Sequence, residues 1–392
     1  MSKAFWRVGE DELRSIQEAF ELGLHGEMNK RLEEEFCKRF DVNYAVGINS
    51  GTSALHAALY ALGVRQGDEV IVTPLTFSAP TFAALCLGAV PVFADVDEKT
   101  FTMDPKSVEK LITGKTKAIV PVALYGLPAD MEAIMAIAKK RNVGVVEDNA
   151  ECFLGSIKGK LAGTFADISI FSFERSKHIT TGNGGMMITS DEMLATKMRK
   201  FSILGYTTLS ARQGQFKISM DTIQHPKFAR HEMIGYNYRL PEVCAAMAVA
   251  QLQKIDMFVE KRCAIAKLYD EAVRGFDIVS PQVNPPTYKN SYWTYAFVLE
   301  GEKYGVTWEA FRRAFLDAGG ERFYAAWLPT YLEPFFKNEP FLKRLGYGRG
   351  LCPVVEKVQP KIVQLKTNFQ DLDYARRQAD ILHETVTKLQ KH

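Results

Sequence analysis

One lysine in this sequence sits in a setting where lysines can do chemistry. Residues 171–185 read FSFERSKHITTGNGG, and the apolar run 168–173 before the lysine predicts a buried strand. The strand ends in a polar turn that carries Lys177. Thr180, Thr181, Gly182, Gly184 and Gly185 follow, then a second apolar run at 186–189. Glycines on such a connection let the backbone come close to a ligand. A lysine held there, partly desolvated, loses its proton more readily and can attack a carbonyl carbon. Pyridoxal 5′-phosphate (PLP), bound as a Schiff base, is the cofactor that uses lysine in this way. A surface lysine beside a hairpin has the same local sequence, so partners are needed elsewhere in the chain.

Asp148 is the first of them. It ends the apolar run 143–146, which continues into Glu147 and Asp148. A carboxylate at the end of a buried strand is costly without a partner, and a protonated pyridine nitrogen is such a partner. A strand-end acid that caps a helix is the plainer reading. The second is the stretch Asn49, Ser50, Gly51, Thr52 and Ser53, between a strand at 44–48 and a helix at 54–62. Free amides and the positive end of a helix dipole meet there and suit a phosphate. Simple N-capping by Ser50 or Thr52 explains the same residues.

The elements that must position these residues follow an α/β pattern. Strands are expected at 44–48, 70–72, 90–93, 118–122, 143–146 and 168–173, with helices between them. This alternation predicts a mostly parallel sheet with helices on both faces. Ligands in such sheets bind beyond the carboxyl ends of the strands. Asn49–Ser53, Thr76, Phe77, Tyr125, Asp148 and Lys177 all lie at or just after strand ends. Two helices are expected before the first strand, at 10–24 and 29–40. Residues 207–232 read as a long loop and 243–270 as one long helix. Pro281, Pro285 and Pro286 mark a change of texture. We place a large domain at 1–256 and a smaller α+β domain at 257–392, with a strand at 292–299 and helices at 307–318 and 371–389. The aromatics at 323–336 are expected to be core rather than pocket.

The chain has 392 residues, 47% hydrophobic and 24% charged, with a net charge of +3. That is globular composition, with no basic stripe for nucleic acid. No apolar stretch approaches a membrane span, and the first seven residues lack the apolar core of a signal, so a cytoplasmic protein is expected. The six cysteines are scattered without metal-ligand spacing and read as buried free thiols, with no metal site.

Taken together, the motifs resemble the DegT/StrS family of PLP-dependent sugar aminotransferases. The matching pieces are 49–55 (NSGTSAL), Thr76-Phe77, 147–151 (EDNAE), 171–173 (FSF), 176–182 (SKHITTG) and 235–239 (GYNYR). The resemblance implies the aspartate aminotransferase fold, fold type I. It implies Lys177 as the cofactor lysine and proton carrier, with Asp148 on the pyridine nitrogen and Glu151 near the phenolic oxygen. Phe77 would stack on the ring, and Gly51, Thr52, Ser53 and Ser172 would hold the phosphate. Asn237 would reach that phosphate from a neighbouring subunit, making a homodimer with shared active sites. The implied substrates are L-glutamate and a nucleotide-linked keto sugar, with a GDP-linked 4-keto-6-deoxyhexose first, as in perosamine synthases. A non-nucleotide cyclic ketone of the inosose type and a non-catalytic PLP-binding member are the alternatives. Asn183 stands where many relatives carry an acid, Ala123 where many carry His, and the loop at 207–233 is long. The presence of Lys177 speaks against the family's dehydratase branch, where His replaces it; His178 reads as a turn residue.

Overall fold

The computed structural model describes residues 6–212 and 219–391. Residues 1–5, and 213–218 of the expected long loop, lie outside the described residues. In chain order the strands are β1 (Tyr44–Ile48), β2 (Glu69–Val72), β3 (Val90–Phe93), β4 (Thr116–Val120), β5 (Gly144–Asp148), β6 (Ser156–Ile157) and β7 (Lys160–Leu161). Then come β8 (Ile168–Ser172), β9 (Gly185–Thr189), β10 (Val279–Pro281), β11 (Tyr288–Lys289), β12 (Thr294–Leu299), β13 (Tyr324–Ala325) and β14 (Ile362–Lys366).

Seven of them form the central sheet, in the order β1-β9-β8-β5-β4-β2-β3. Pairing from β8 across to β3 is parallel. β9 runs antiparallel to both β8 and β1. The sequence explains the layering. Along β8, Ile168 and Ile170 join one core cluster, while Phe171 joins another with Phe173 just beyond the strand. β9 splits likewise, with Met187 on one side and Met186 and Ile188 on the other. Successive side chains of a strand point to opposite faces, so an unbroken apolar run requires cover on both. Helix Gly51–Ala61 covers one face with Leu55 and Leu59. Helix Glu27–Phe40 covers the other near β8 and β9, with Leu32 and Phe36.

The smaller sheet is antiparallel, β10-β12-β14-β13. It packs against helices Trp308–Asp317 and Leu372–Gln390. The single long helix expected at 243–270 is two, Glu242–Gln253 and Ile255–Val273, interrupted at Lys254. Residue 257 falls within the second of these. Its Ile255, Phe258 and Val259 pack with the large-sheet core, and its Ile265, Tyr269 and Val273 with the small one. The expected loop at 207–232 contains a short helix, Met220–Gln224. Two cysteines, Cys152 and Cys352, are buried; Cys86 is exposed and the other three lie between, correcting the expectation of mostly buried thiols. Among the described residues, no helix is long and apolar enough to cross a membrane.

Candidate active site

The carboxyl ends of β1, β5 and β8 lie side by side with β9, because β9 inserts between β1 and β8. Helix Gly51–Ala61 starts three residues earlier than its apolar pattern predicts. The reason is Ser50, whose side chain accepts from Ser53 N at 3.1 Å and caps the helix. Capping therefore occurs, and it uses Ser53 N; the earlier amides of Gly51 and Thr52 have no intrahelical acceptor. The helix start sits directly on the strand ends. A Cβ on Gly51 would lie 3.0 Å from Ser172 Cβ, and one on Gly185 would lie 3.0 Å from the Ser50 carbonyl carbon and 3.1 Å from Gly51 N.

Asp148 ends β5 and is buried. Its Oδ1 accepts from Ala150 N at 2.9 Å. Burial pushes the carboxyl up to about 6; the Ala150 amide and the Lys177 charge pull it back, and Glu151 adds to the rise. Lys177 Nζ lies 3.0 Å from Glu151 Oε1 and 4.4 Å from the centre of the Trp293 ring. The lysine side chain is 13% exposed and that of Glu151 4%, so this is a sheltered pair and not a surface lysine. Glu151 Oε2 accepts from Tyr125 N at 3.2 Å.

Tyr125 has φ +62°, a conformation that side chains other than glycine rarely adopt. It is buried, and its hydroxyl has no partner. Gly126 follows, at φ +105°, and a Cβ there would lie 2.4 Å from Tyr292 N and 2.8 Å from Trp293 N. That close approach brings Trp293 over the lysine. Trp293 and Trp327 lie parallel at 6.1 Å, Trp327 faces Tyr125 at 6.3 Å, and Phe77 meets Trp327 edge-on at 6.4 Å. Phe77 is 58% exposed, a large apolar ring left mostly uncovered.

The expected residues thus converge, with one set apart. Asn237 is exposed, and its Oδ1 accepts from Arg239 Nε at 2.9 Å. Its neighbour Tyr238 accepts from Asn49 N through its carbonyl at 2.9 Å. Asn183 is exposed and Ala123 is buried. His178 is buried; its Nε2 donates to Ser291 O at 3.0 Å, and burial drives its pKa well down. The aromatics at 323–336 divide. Phe323, Tyr331 and Phe336 are core as expected, whereas Trp327 faces the site, against expectation. Trp293 was not foreseen either, because the first residues of an expected strand give no sign of a site.

A cavity of about 770 Å³ adjoins the lysine loop. It is lined by Ser176, Trp293, Arg7, Arg262, Lys366 and Tyr324 among others, and Lys177, Asp148 and Phe77 are not in its wall.

A model of the DegT/DnrJ/EryC1/StrS aminotransferase family matches residues 7–373. The chain belongs to that family. It is 40% identical over 268 residues to a GDP-perosamine synthase of Escherichia coli O157:H7, covering 68% of each chain. It is 38% identical over 277 residues to a GDP-perosamine synthase of Caulobacter vibrioides, covering 70% of each. The fold matches an aminotransferase from Psychrobacter cryohalolentis with a TM-score of 0.85 at 28% identity, over 97% of this chain and 98% of that one. As a member of this aminotransferase family the chain is a PLP-dependent transaminase of the aspartate aminotransferase fold. The residues present fit that cofactor. Asp148 is a buried carboxylate, Phe77 is an uncovered ring, and the Ser50-capped helix offers amides to a phosphate.

Proposed function

We propose that this chain transfers the amino group of L-glutamate to a nucleotide-linked keto sugar. The first choice is a GDP-linked 4-keto-6-deoxyhexose, for surface glycan synthesis in the cytoplasm. The observation that carries the reaction is Lys177, sheltered against Glu151 and Trp293 at the strand ends. The choice of sugar rests on likeness to the two GDP-perosamine synthases.

PLP, when bound, supplies a ring that takes up the electron pair left by a broken C–H bond. The chain's residues do the rest. Asp148 would hold the ring nitrogen protonated. Gly51, Thr52, Ser53 and Ser172 would hold the phosphate, joined by Asn237 of a second subunit in a homodimer. Phe77 would cover the ring, and Glu151 would lie near its phenolic oxygen. Lys177 Nζ carries the proton to and from the substrate carbon, first for glutamate and then for the sugar. Glu151, holding that amine at 3.0 Å, keeps it aimed between transfers. The large domain at 1–256 supplies these groups, and the small domain at 257–392 adds Trp293 and Trp327.

The test is a substrate panel with L-glutamate and PLP, with the product read by mass spectrometry. Amination of a GDP-4-keto-6-deoxyhexose, lost in Lys177→Ala, is expected. Amination only of inosose-type ketones, or normal turnover in Lys177→Ala, would overturn the reading.

A further inference from the structure

Two buried arginines grip the backbone on which Lys177 is mounted. Arg7 Nη1 donates to the carbonyl of Lys177 and, at 2.9 Å, to that of His178. Its Nη2 donates to the carbonyl of Arg175 at 2.8 Å. Arg262 Nη2 donates to the carbonyl of Ser176 at 3.4 Å. Its Nη1 donates to the Trp293 carbonyl at 2.7 Å and to Thr367 Oγ1 at 2.9 Å. Four successive carbonyls, 175–178, are therefore held by two side chains. Trp293 adds a hold of its own, Nε1 donating to Ser176 O at 2.9 Å while its ring lies against the lysine amine.

The two arginines come from separate parts of the chain. Arg7 follows Trp6, whose Nε1 donates to Asn368 O at 2.9 Å. The Arg7 carbonyl accepts from Gln251 Nε2, and Gln251 Oε1 accepts from Thr180 N at 3.2 Å, just past the lysine. Arg262 rides on helix Ile255–Val273, which links the two cores. Among the described residues, no carboxylate forms an ion pair with either guanidinium. Burial without an ion pair is costly; it lowers Arg7 to about 10, against an opposing pull from the Glu174 charge, and, with the nearby Arg7 charge, lowers Arg262 well below its usual value. A loop that needed only to be covered would be served by neutral donors. A planar fork that reaches several carbonyls at once fixes their geometry.

We propose that Arg7 and Arg262 are positioning residues for Lys177, setting where its amine meets the aldehyde carbon of the cofactor. The proposal rests on Lys177 being the cofactor lysine. In the step concerned, Nζ attacks the aldehyde carbon, a carbon–nitrogen bond forms, and the aldehyde oxygen leaves as water. A misplacement of about 1 Å can cost on the order of 10²-fold in such an approach. Pyridoxamine phosphate has no aldehyde and needs only the ring and phosphate contacts. The two ligands therefore separate a role in aiming the lysine from a role in shaping the pocket.

The experiment uses cofactor-free full-length wild type, Arg7→Lys and Arg262→Lys, with Lys177→Ala as the reference that cannot form the bond. Formation of the covalent lysine linkage with PLP is followed by absorbance, and pyridoxamine phosphate affinity by quenching of tryptophan fluorescence. Expected is linkage formation slowed by about 10²-fold in each arginine variant, with pyridoxamine phosphate affinity unchanged. The variants are independent, so misfolding of one leaves the other to decide. Linkage at the wild-type rate, or equal loss of both ligands, would overturn the proposal. Wild type that forms no linkage at all would overturn it together with the assignment of Lys177, a failure distinct from the other two.

Discussion

At the scale of single residues, the site keeps groups where folding alone would not put them. Asp148 holds its proton in the folded chain up to about pH 6, against 3.8 for an ordinary aspartate. Between those values the folded state binds more protons than the unfolded one. Stability therefore falls as pH rises through that window, and the loss is complete above it. The cost at neutral pH is roughly 3 kcal/mol. A pyridinium beside the carboxylate would reverse the sign by favouring its charged form. Thermal melts of the cofactor-free protein should therefore show Asp148→Asn more stable than wild type near neutral pH, by about that amount. The gap should close below about pH 4, and affinity for PLP should drop. A gap that does not change with pH would refute this account of Asp148.

At the scale of elements, the anion site depends on how closely a helix start can approach a strand. Gly185 opens β9 and packs against the turn that launches helix Gly51–Ala61. A Cβ there would lie 2.8 Å from Phe171 O and about as close to Ser50 and Gly51, all backbone atoms that cannot swing aside. Gly185→Ala should push the helix start off β8 and β9. We expect a stability loss of about 1–3 kcal/mol, as for overpacking, and a weaker grip on the phosphate. Titration with PLP and with pyridoxal, which lacks the phosphate, checks this. The affinity ratio between the two should shrink in the variant, and an unchanged ratio would place the phosphate elsewhere. Ser50→Ala removes only the cap. It should cost about 1 kcal/mol and leave the strand contacts intact, which a melting curve can read.

At the scale of the whole molecule, one chain leaves part of the expected constellation unused. Asn237 points to solvent beside Ile234, which is 85% exposed, and Tyr236, 40% exposed. On the proposed function, this apolar surface beside Asn237 is where a second chain would dock, each chain completing the other's site. Light scattering should give the mass of a dimer. Asn237→Ala and Lys177→Ala should each be inactive or nearly so. Mixed dimers of the two should regain one intact site, because the chain that keeps its lysine receives Asn237 from the other. Absence of recovery in mixtures verified to exchange subunits would assign Asn237 to its own chain's site or to none.

The sequence by itself determined the buried strands of the large sheet and the candidate residues at their carboxyl ends. Unbroken apolar runs ending in Asp148, Ser172 and the Asn49–Ser53 turn identify buried strands with chemistry at their carboxyl ends, and those signals are local. The sheet order that brings β1, β8 and β5 together was not local, nor was the single antiparallel strand β9 that separates β1 from β8. Trp293 and Trp327 could not be read as site residues, because aromatic side chains in a strand and a loop look the same whether they face a core or a cleft. Tyr125 lies at a strand end in the sequence, but no spacing reveals its left-handed backbone, its amide bond to Glu151 or its unpartnered hydroxyl. Arg7 and Arg262 were silent for the same reason. On the lysine loop Arg7 acts on carbonyls 168 or more positions away and Arg262 on one 86 positions away, and only the folded chain decides which backbone a guanidinium can reach.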